Sequence, residues 1–244
     1  MKKLCLIIPA YNEEKSLPKL FAKLSPVVSS LNYHVDCVVV NDGSRDNTAS
    51  IADSLNCRVL DLAANLGIGG AVQTGLKFAL SNRYDLAMQV DADGQHPPDE
   101  IFKLLDQMEK TSPDMVIGSR FIAREGFQST VLRRMGISYF SSLLYFFSGQ
   151  LFSDPTSGLR LFNKKSIAFF AEHYADEFPE PESLLVAALM GLRVEEVPVL
   201  MKERTDGKSS IHSTRSVYFM AKVTLAVFFA YVKFKYLLKH GYTL

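Results

Sequence analysis

Apolar and polar positions alternate along the first half of the chain in two distinct rhythms. Short apolar runs at Leu4–Ile8, Val35–Val40, Arg58–Leu62, Leu86–Val90 and Met115–Gly118 are bounded by polar or glycine-containing turns and predict buried strands. Between them, Glu13–Leu31, Thr48–Leu55, Gly69–Leu80 and Pro98–Lys110 carry apolar residues at helical spacing, the last with proline near its first turn. This alternation predicts an α/β fold, with a mostly parallel sheet covered by helices on both faces. After residue 120 the rhythm changes. An aromatic-rich helix is expected at Val131–Gly149, a short strand at Leu159–Phe162, a helix at Glu182–Met190 and a strand at Arg193–Val199. From Ser216 to Leu238 the chain is apolar except for a few positions.

Composition narrows the function. A 48% hydrophobic content supports a full core, and a net charge of +1 leaves no bulk signature of a nucleic-acid binder. Cys5, Cys37 and Cys57 each sit in or beside a predicted strand, which fits reduced thiols of a cytosolic protein better than a disulfide framework. No Cys/His cluster suggests zinc. Lys2-Lys3 followed by Leu4–Ile8 resembles the start of a signal peptide, but Pro9 ends the run too early. The expected location is cytoplasmic.

In a sheet of this kind, ligands bind beyond the carboxyl ends of the strands. Three acidic segments fall there: Pro9-Ala-Tyr-Asn-Glu-Glu, Asn41-Asp-Gly-Ser and Asp91-Ala-Asp. Carboxylates at Asp91 and Asp93 can take up Mg²⁺ or Mn²⁺ that bridges to a diphosphate, or they can cap a strand-end turn. Asp42 either accepts from a base or ribose or belongs to a turn, whereas Asp46 and Thr48 read as a turn and helix cap. Asn65-Leu-Gly67-Ile-Gly69-Gly70 is either a phosphate cradle at a helix start or a tight turn. Arg120, Arg133, Arg134, Arg160, Arg204 and Lys208 punctuate the second half. Arg120 follows a strand and could grip phosphate bidentately; any one of them alone reads as a surface charge. On a helical wheel of the tail, Arg215, Lys222, Lys233 and His240 fall near one line with apolar residues around most of the rest. Lys222 disfavours a spanning helix. The tail then lies in a membrane interface, or packs on the core or on a partner.

Taken in order, these segments resemble glycosyltransferase family 2, whose fold is GT-A, and its dolichol-phosphate mannose synthase-like branch. The resemblance rests on Pro9-Ala-Tyr-Asn-Glu-Glu, Asn41-Asp-Gly-Ser-Arg-Asp-Asn-Thr, Asn65-x-Gly-x-Gly-Gly-Ala and Asp91-Ala-Asp-Gly-Gln. It continues through Gly118-Ser-Arg, Asp154-Pro-Thr-Ser-Gly-x-Arg160 and Glu196-Val-Pro-Val. It implies a catalytic domain over 1–212 and a separate amphipathic helix over 213–244. Pro9, Tyr11, Glu13, Asp42, Asn65 and Asp91 would hold the nucleotide sugar, and Asp91, Asp93 and Gln95 the metal. Arg120, Arg134 and Ser138 would bind an acceptor phosphate, and Arg204 and Lys208 would close over the donor diphosphate. Asn41 stands where many relatives carry an aspartate, which leaves that work to Asp42. Paired transmembrane helices that follow the domain in some members are lacking, so attachment falls to the amphipathic tail or a small membrane-protein partner.

The implied reaction is inverting, metal-dependent transfer of a sugar from a nucleotide diphosphate to a polyprenyl phosphate, on the inner face of the membrane. If the acceptor were instead a glycan hydroxyl, a base would be required, and Glu180 and Glu182 are the candidates. A non-catalytic nucleotide-sugar-binding module is a further alternative, although the chain keeps its Asp-x-Asp pair.

Overall fold

The computed structural model describes residues 1–55, 57–123, 131–202 and 213–242. In chain order the elements are β1 (Lys3–Ala10), α1 (Ser16–Ser30), β2 (His34–Asn41), α2 (Thr48–Ser54), β3 (Arg58–Asp61), α3 (Gly67–Ser81), β4 (Leu86–Gln89) and α4 (Glu100–Thr111). They continue with β5 (Met115–Ser119), α5 (Val131–Ser148), β6 (Arg160–Asn163), α6 (Lys164–His173), α7 (Pro179–Leu189), β7 (Val194–Pro198) and α8 (Ser213–Lys239).

The seven strands form one sheet in the order β3-β2-β1-β4-β6-β5-β7. Among the described residues only β6 runs antiparallel to its neighbours, inserted between β4 and β5. Successive side chains of a strand point to opposite faces, and β1 shows it. Leu4, Leu6 and Ile8 join one core with Leu17, Leu24, Leu104 and Leu105 of α1 and α4. Cys5 and Ile7 join the other, with Leu76 of α3, Phe170 of α6 and Leu184 of α7. Both faces are therefore covered, and the polar chemistry is displaced to the strand ends. The three cysteines are free thiols, and burial pushes Cys37 up to about 12 and Cys57 to about 11.

α6 is the one element that the apolar pattern did not predict. Asn163 caps it, its side chain accepting from the Ser166 amide at 3.0 Å. Ile167, Phe169, Phe170 and Ala171 then bury one face.

α8 packs one face on the core through Val223, Val227 and Phe234. Its opposite face exposes Tyr218, Leu225, Phe229, Val232 and Tyr236, bordered by Lys222 and Lys233 on one side and Lys235 and Lys239 on the other. α5 adds exposed Tyr145 and Phe146, the latter 80% accessible. The tail is thus packed and amphipathic at once. No helix among the described residues is long and apolar enough to cross a membrane.

Candidate active site

The loops after β1 and β2 are fastened to each other at the carboxyl edge of the sheet. Asn12, in the left-handed region with φ of 56°, donates its amide to Ser44 Oγ at 2.9 Å, and its Oδ1 accepts from the Arg45 amide at 2.9 Å. The Glu13 amide donates to Thr48 Oγ1 at 2.8 Å, and the Thr48 amide to Asp46 Oδ1 at 3.0 Å. Asp46 thus forms a turn onto the first residue of α2 and Thr48 clasps the loop after β1, whereas the N-cap position is Asn47, whose side chain makes no cap bond. Each such bond contributes about 1 kcal/mol, so the clasp holds Tyr11 and Glu13 at the mouth of the site.

A cleft of about 240 Å³ opens there, lined by Pro9, Ala10, Tyr11, Glu13, Asp42, Ile68, Ala71, Asp91, Ala92, Asp93 and Glu180. Most residues that the sequence nominated for the donor meet in this space. Three behave differently. The Asp42 carboxylate accepts the Leu66 amide at 2.6 Å and the Gly67 amide at 2.9 Å. Asn65 donates to the Asp42 carbonyl and accepts from Gly67. Asp42 thus fixes the start of α3 with its carboxylate, and the glycine-rich segment is a tight turn whose first amides are already occupied. Gln95 lies outside the lining, with Nε2 3.4 Å from the Lys202 carbonyl.

Asp91 is held from two sides. Gln89 Nε2 donates to its Oδ1 at 3.1 Å, and the Gly158 backbone packs so closely that a Cβ there would overlap Oδ2. Asp93 Oδ1 accepts the Gln95 amide at 3.0 Å. Nearby His96 is buried, and burial followed by the Arg120 charge brings it down to about 4, so its ring is neutral.

The donor set suits a hard divalent cation. Five carboxylates and no lysine or arginine line the cleft, which would repel a bare diphosphate. Among the described residues no cluster of three His, Cys, Asp or Glu forms a closed metal cage. Asp91 and Asp93 are the residues that could hold Mg²⁺ or Mn²⁺, in the pattern where one or two carboxylates bind the ion and substrate phosphates complete the shell.

Arg120 is placed differently from the expected phosphate fork. It is buried, with Nε and Nη2 each 2.6 Å from Asp154 and Nη2 also 2.6 Å from Thr156 Oγ1. Asp154 is in turn set by Glu196, which accepts the Asp154 and Ser153 amides. A bidentate grip on an incoming phosphate would require that pair to open. Arg134 and Ser138 lie one turn apart on α5, both exposed. Arg204 and Lys208 lie outside the described residues. Arg160, expected at the surface, is fully buried.

Of the two candidate bases, Glu180 lines the cleft and Glu182 does not. Burial raises the Glu180 carboxyl, opposed by Arg160 and reinforced by Asp91. Glu182 is raised to about 7 by burial, then by Asp176 and Glu177. Below about pH 4.5 this group is protonated both folded and unfolded. Between pH 4.5 and 7 only the folded chain keeps the proton, so the group's contribution to stability falls as pH rises through that window. Glu182→Gln is therefore expected to melt higher than wild type at pH 8 and to show no such gain at pH 4. Thermal melts at the two pH values check it.

The chain matches the model of Glycosyl transferase family 2 over residues 5–169. It belongs to that family. A UDP-N-acetylglucosamine–dolichyl-phosphate N-acetylglucosaminyltransferase of Methanococcus voltae is 33% identical over 222 residues, covering 81% of this chain and 85% of the relative. An undecaprenyl-phosphate mannosyltransferase of Micrococcus luteus is 30% identical, covering 84% and 86%. The glucosyl-3-phosphoglycerate synthase of Mycobacterium tuberculosis, solved with Mn²⁺, UDP-glucose and phosphoglyceric acid, superposes with a TM-score of 0.70 at 17% identity. It covers 94% of this chain and 79% of that one. The α/β sheet with its antiparallel sixth strand is thus the GT-A fold of a family 2 glycosyltransferase.

Three residues that matter to the site carried a sequence signal in one motif. Asp154, Gly158 and Arg160 all belong to Asp-Pro-Thr-Ser-Gly-x-Arg, which links Arg120, Asp91 and α7. Gln89 and Tyr174 carried none.

Proposed function

We propose that this glycosyltransferase moves a sugar from a nucleotide diphosphate to a polyprenyl phosphate, with inversion, using Mg²⁺ or Mn²⁺. The observation that carries the reading is the Asp91–Asp93 pair in an acidic cleft at the sheet edge. The donor diphosphate would lie on these carboxylates, beside Tyr11 and Glu13. A bound divalent ion would offset charge on the leaving diphosphate. Relatives similar over most of both chains are named for dolichyl and undecaprenyl phosphate acceptors, and these support a lipid phosphate here.

The membrane supplies that acceptor, and α8 offers a matching surface. Its apolar outer stripe bordered by lysines suits a peripheral position on an anionic cytoplasmic leaflet, with ammonium groups reaching headgroups. Ile68 of the cleft also lines a larger groove of about 670 Å³, whose far wall is Phe178, Tyr218, Phe219 and Lys222. An isoprenoid chain could run from the membrane face along that groove. Arg134 and Ser138, exposed on the neighbouring α5, would take the acceptor phosphate.

Glu180 in the cleft, with its raised carboxyl, supports a second reading in which a glycan hydroxyl is deprotonated for attack. A phosphate acceptor is already ionised and needs no base. Under the lipid-phosphate reading, Glu180→Gln keeps transfer within about tenfold of wild type. Polyprenyl phosphate is then glycosylated, while the matching unphosphorylated polyprenol is not. Loss of about 10²-fold or more in Glu180→Gln, together with transfer to the free alcohol, would establish the hydroxyl reading instead.

A further inference from the structure

Arg160 is among the largest fully buried side chains of the protein. Its Nε donates to the Ser157 carbonyl at 2.7 Å, Nη1 to Ser183 Oγ at 2.5 Å and Nη2 to the Glu180 carbonyl at 2.9 Å. All three acceptors are neutral oxygens. A buried cation without a hydrogen-bonded carboxylate is costly, and an apolar residue of similar volume would often serve stability better. What the fork does is join two walls of the cleft. One wall is the first turn of α7, which carries Glu180. The other is the Ser157–Gly158 turn, whose backbone presses on Asp91 Oδ2.

A second route leads from Arg160 to the same carboxylate. Arg160 on β6 is the register partner of Gln89 on β4. Gln89 donates to Asp91 Oδ1, and its Oε1 accepts from the buried Tyr174 hydroxyl at 3.4 Å. The Arg160 charge also acts on the Tyr174 phenol. The Ser157 hydroxyl is buried with no hydrogen-bond partner among the described residues. The serine side chain therefore does not secure the turn; its amide donates to the Asp154 carbonyl at 3.3 Å and its carbonyl accepts from Arg160.

We propose that Arg160 is a positioning residue that sets the Asp91 carboxylate, through the Gly158 backbone and through its strand partner Gln89, for its grip on the metal–diphosphate donor. This inference rests on the donor site proposed above. It places Arg160 behind the carboxylate rather than in contact with substrate. Groups that orient a metal-holding side chain commonly change metal affinity by about 10- to 100-fold when altered.

The test uses the full chain and two probes, Mn²⁺ with UDP and Mn²⁺ with GDP, followed by calorimetry alongside thermal melting. Arg160→Lys keeps the charge and loses the planar fork. The expected result is a cooperative melt with Mn²⁺-dependent nucleotide binding weakened by about tenfold or more. Ser183→Ala removes one of the three acceptors of the fork, along with the serine's own bond to the Pro179 carbonyl, and the expected weakening is smaller and in the same direction. Gly158→Ala pushes on Asp91 directly and should reproduce the loss with Arg160 intact. Folded Arg160→Lys with wild-type affinity overturns the inference. Where Arg160→Lys does not fold, wild-type affinity in Ser183→Ala does so. If the wild-type chain binds neither nucleotide with Mn²⁺, the donor site itself is overturned and this inference falls with it.

Discussion

Asp91→Asn is expected to lower kcat/KM for sugar transfer by about three orders of magnitude while leaving the fold and melting temperature almost unchanged. The substitution is nearly isosteric. An asparagine Oδ1 can still accept from Gln89 Nε2, and the amide fits the space beneath the Gly158 backbone. What is lost is one negative charge, in a cleft whose carboxylates would otherwise repel the diphosphate. A divalent ion held by Asp93 alone binds more weakly, and the leaving diphosphate loses stabilisation where its charge grows. Steady-state kinetics across Mn²⁺ concentrations check this. A large part of the loss should persist at saturating metal, because geometry as well as occupancy is altered. Wild-type kinetics in this variant would remove Asp91 from the mechanism.

The second large effect is expected at Arg134. Arg134→Ala should reduce transfer to polyprenyl phosphate by about 10²-fold or more while donor binding survives, because a lost charge-assisted phosphate contact is read in full at the reacting oxygen. The guanidinium is exposed on α5, and surface substitutions of this kind shift stability little. Ser138 sits one turn on, on the same helix face, so the two can address one phosphate. The Arg120 fork, by contrast, is engaged by Asp154. The measurement compares acceptor KM and kcat with nucleotide affinity in the same preparation. Unchanged transfer would place the acceptor phosphate elsewhere.

Most of the fold was legible because strands and helices bury their residues at different periods. Leu4–Ile8 is short and apolar throughout, and Val35–Val40 is apolar but for Asp36, as strands covered on both faces must largely be. The helix at α6 was not legible, since Lys164 follows β6 directly with no glycine or proline to mark a boundary. The insertion of β6 between β4 and β5 was equally hidden, because pairing partners some 70 residues apart leave no local pattern. At the site, Asp42 was visible as an acid at the sheet edge. Its partners, the Leu66 and Gly67 amides, are backbone groups that no side-chain motif announces. Arg160 was misjudged for a related reason. Cations are rarely fully buried, and its acceptors lie 3, 20 and 23 residues away in the chain. In α8 the helical wheel showed the line of Arg215, Lys222, Lys233 and His240, but only packing showed that Val223, Val227 and Phe234 face the core.

The central claim is that the acidic cleft uses a divalent ion to pass a sugar from a nucleotide to a lipid phosphate. It is tested most directly by offering labelled UDP-N-acetylglucosamine, UDP-glucose and GDP-mannose with polyprenyl phosphate, with and without EDTA, and following label into the organic phase. The account predicts label in that phase from at least one donor, abolished by EDTA and restored by Mn²⁺ or Mg²⁺. No transfer from any donor, or transfer that survives EDTA, would contradict it.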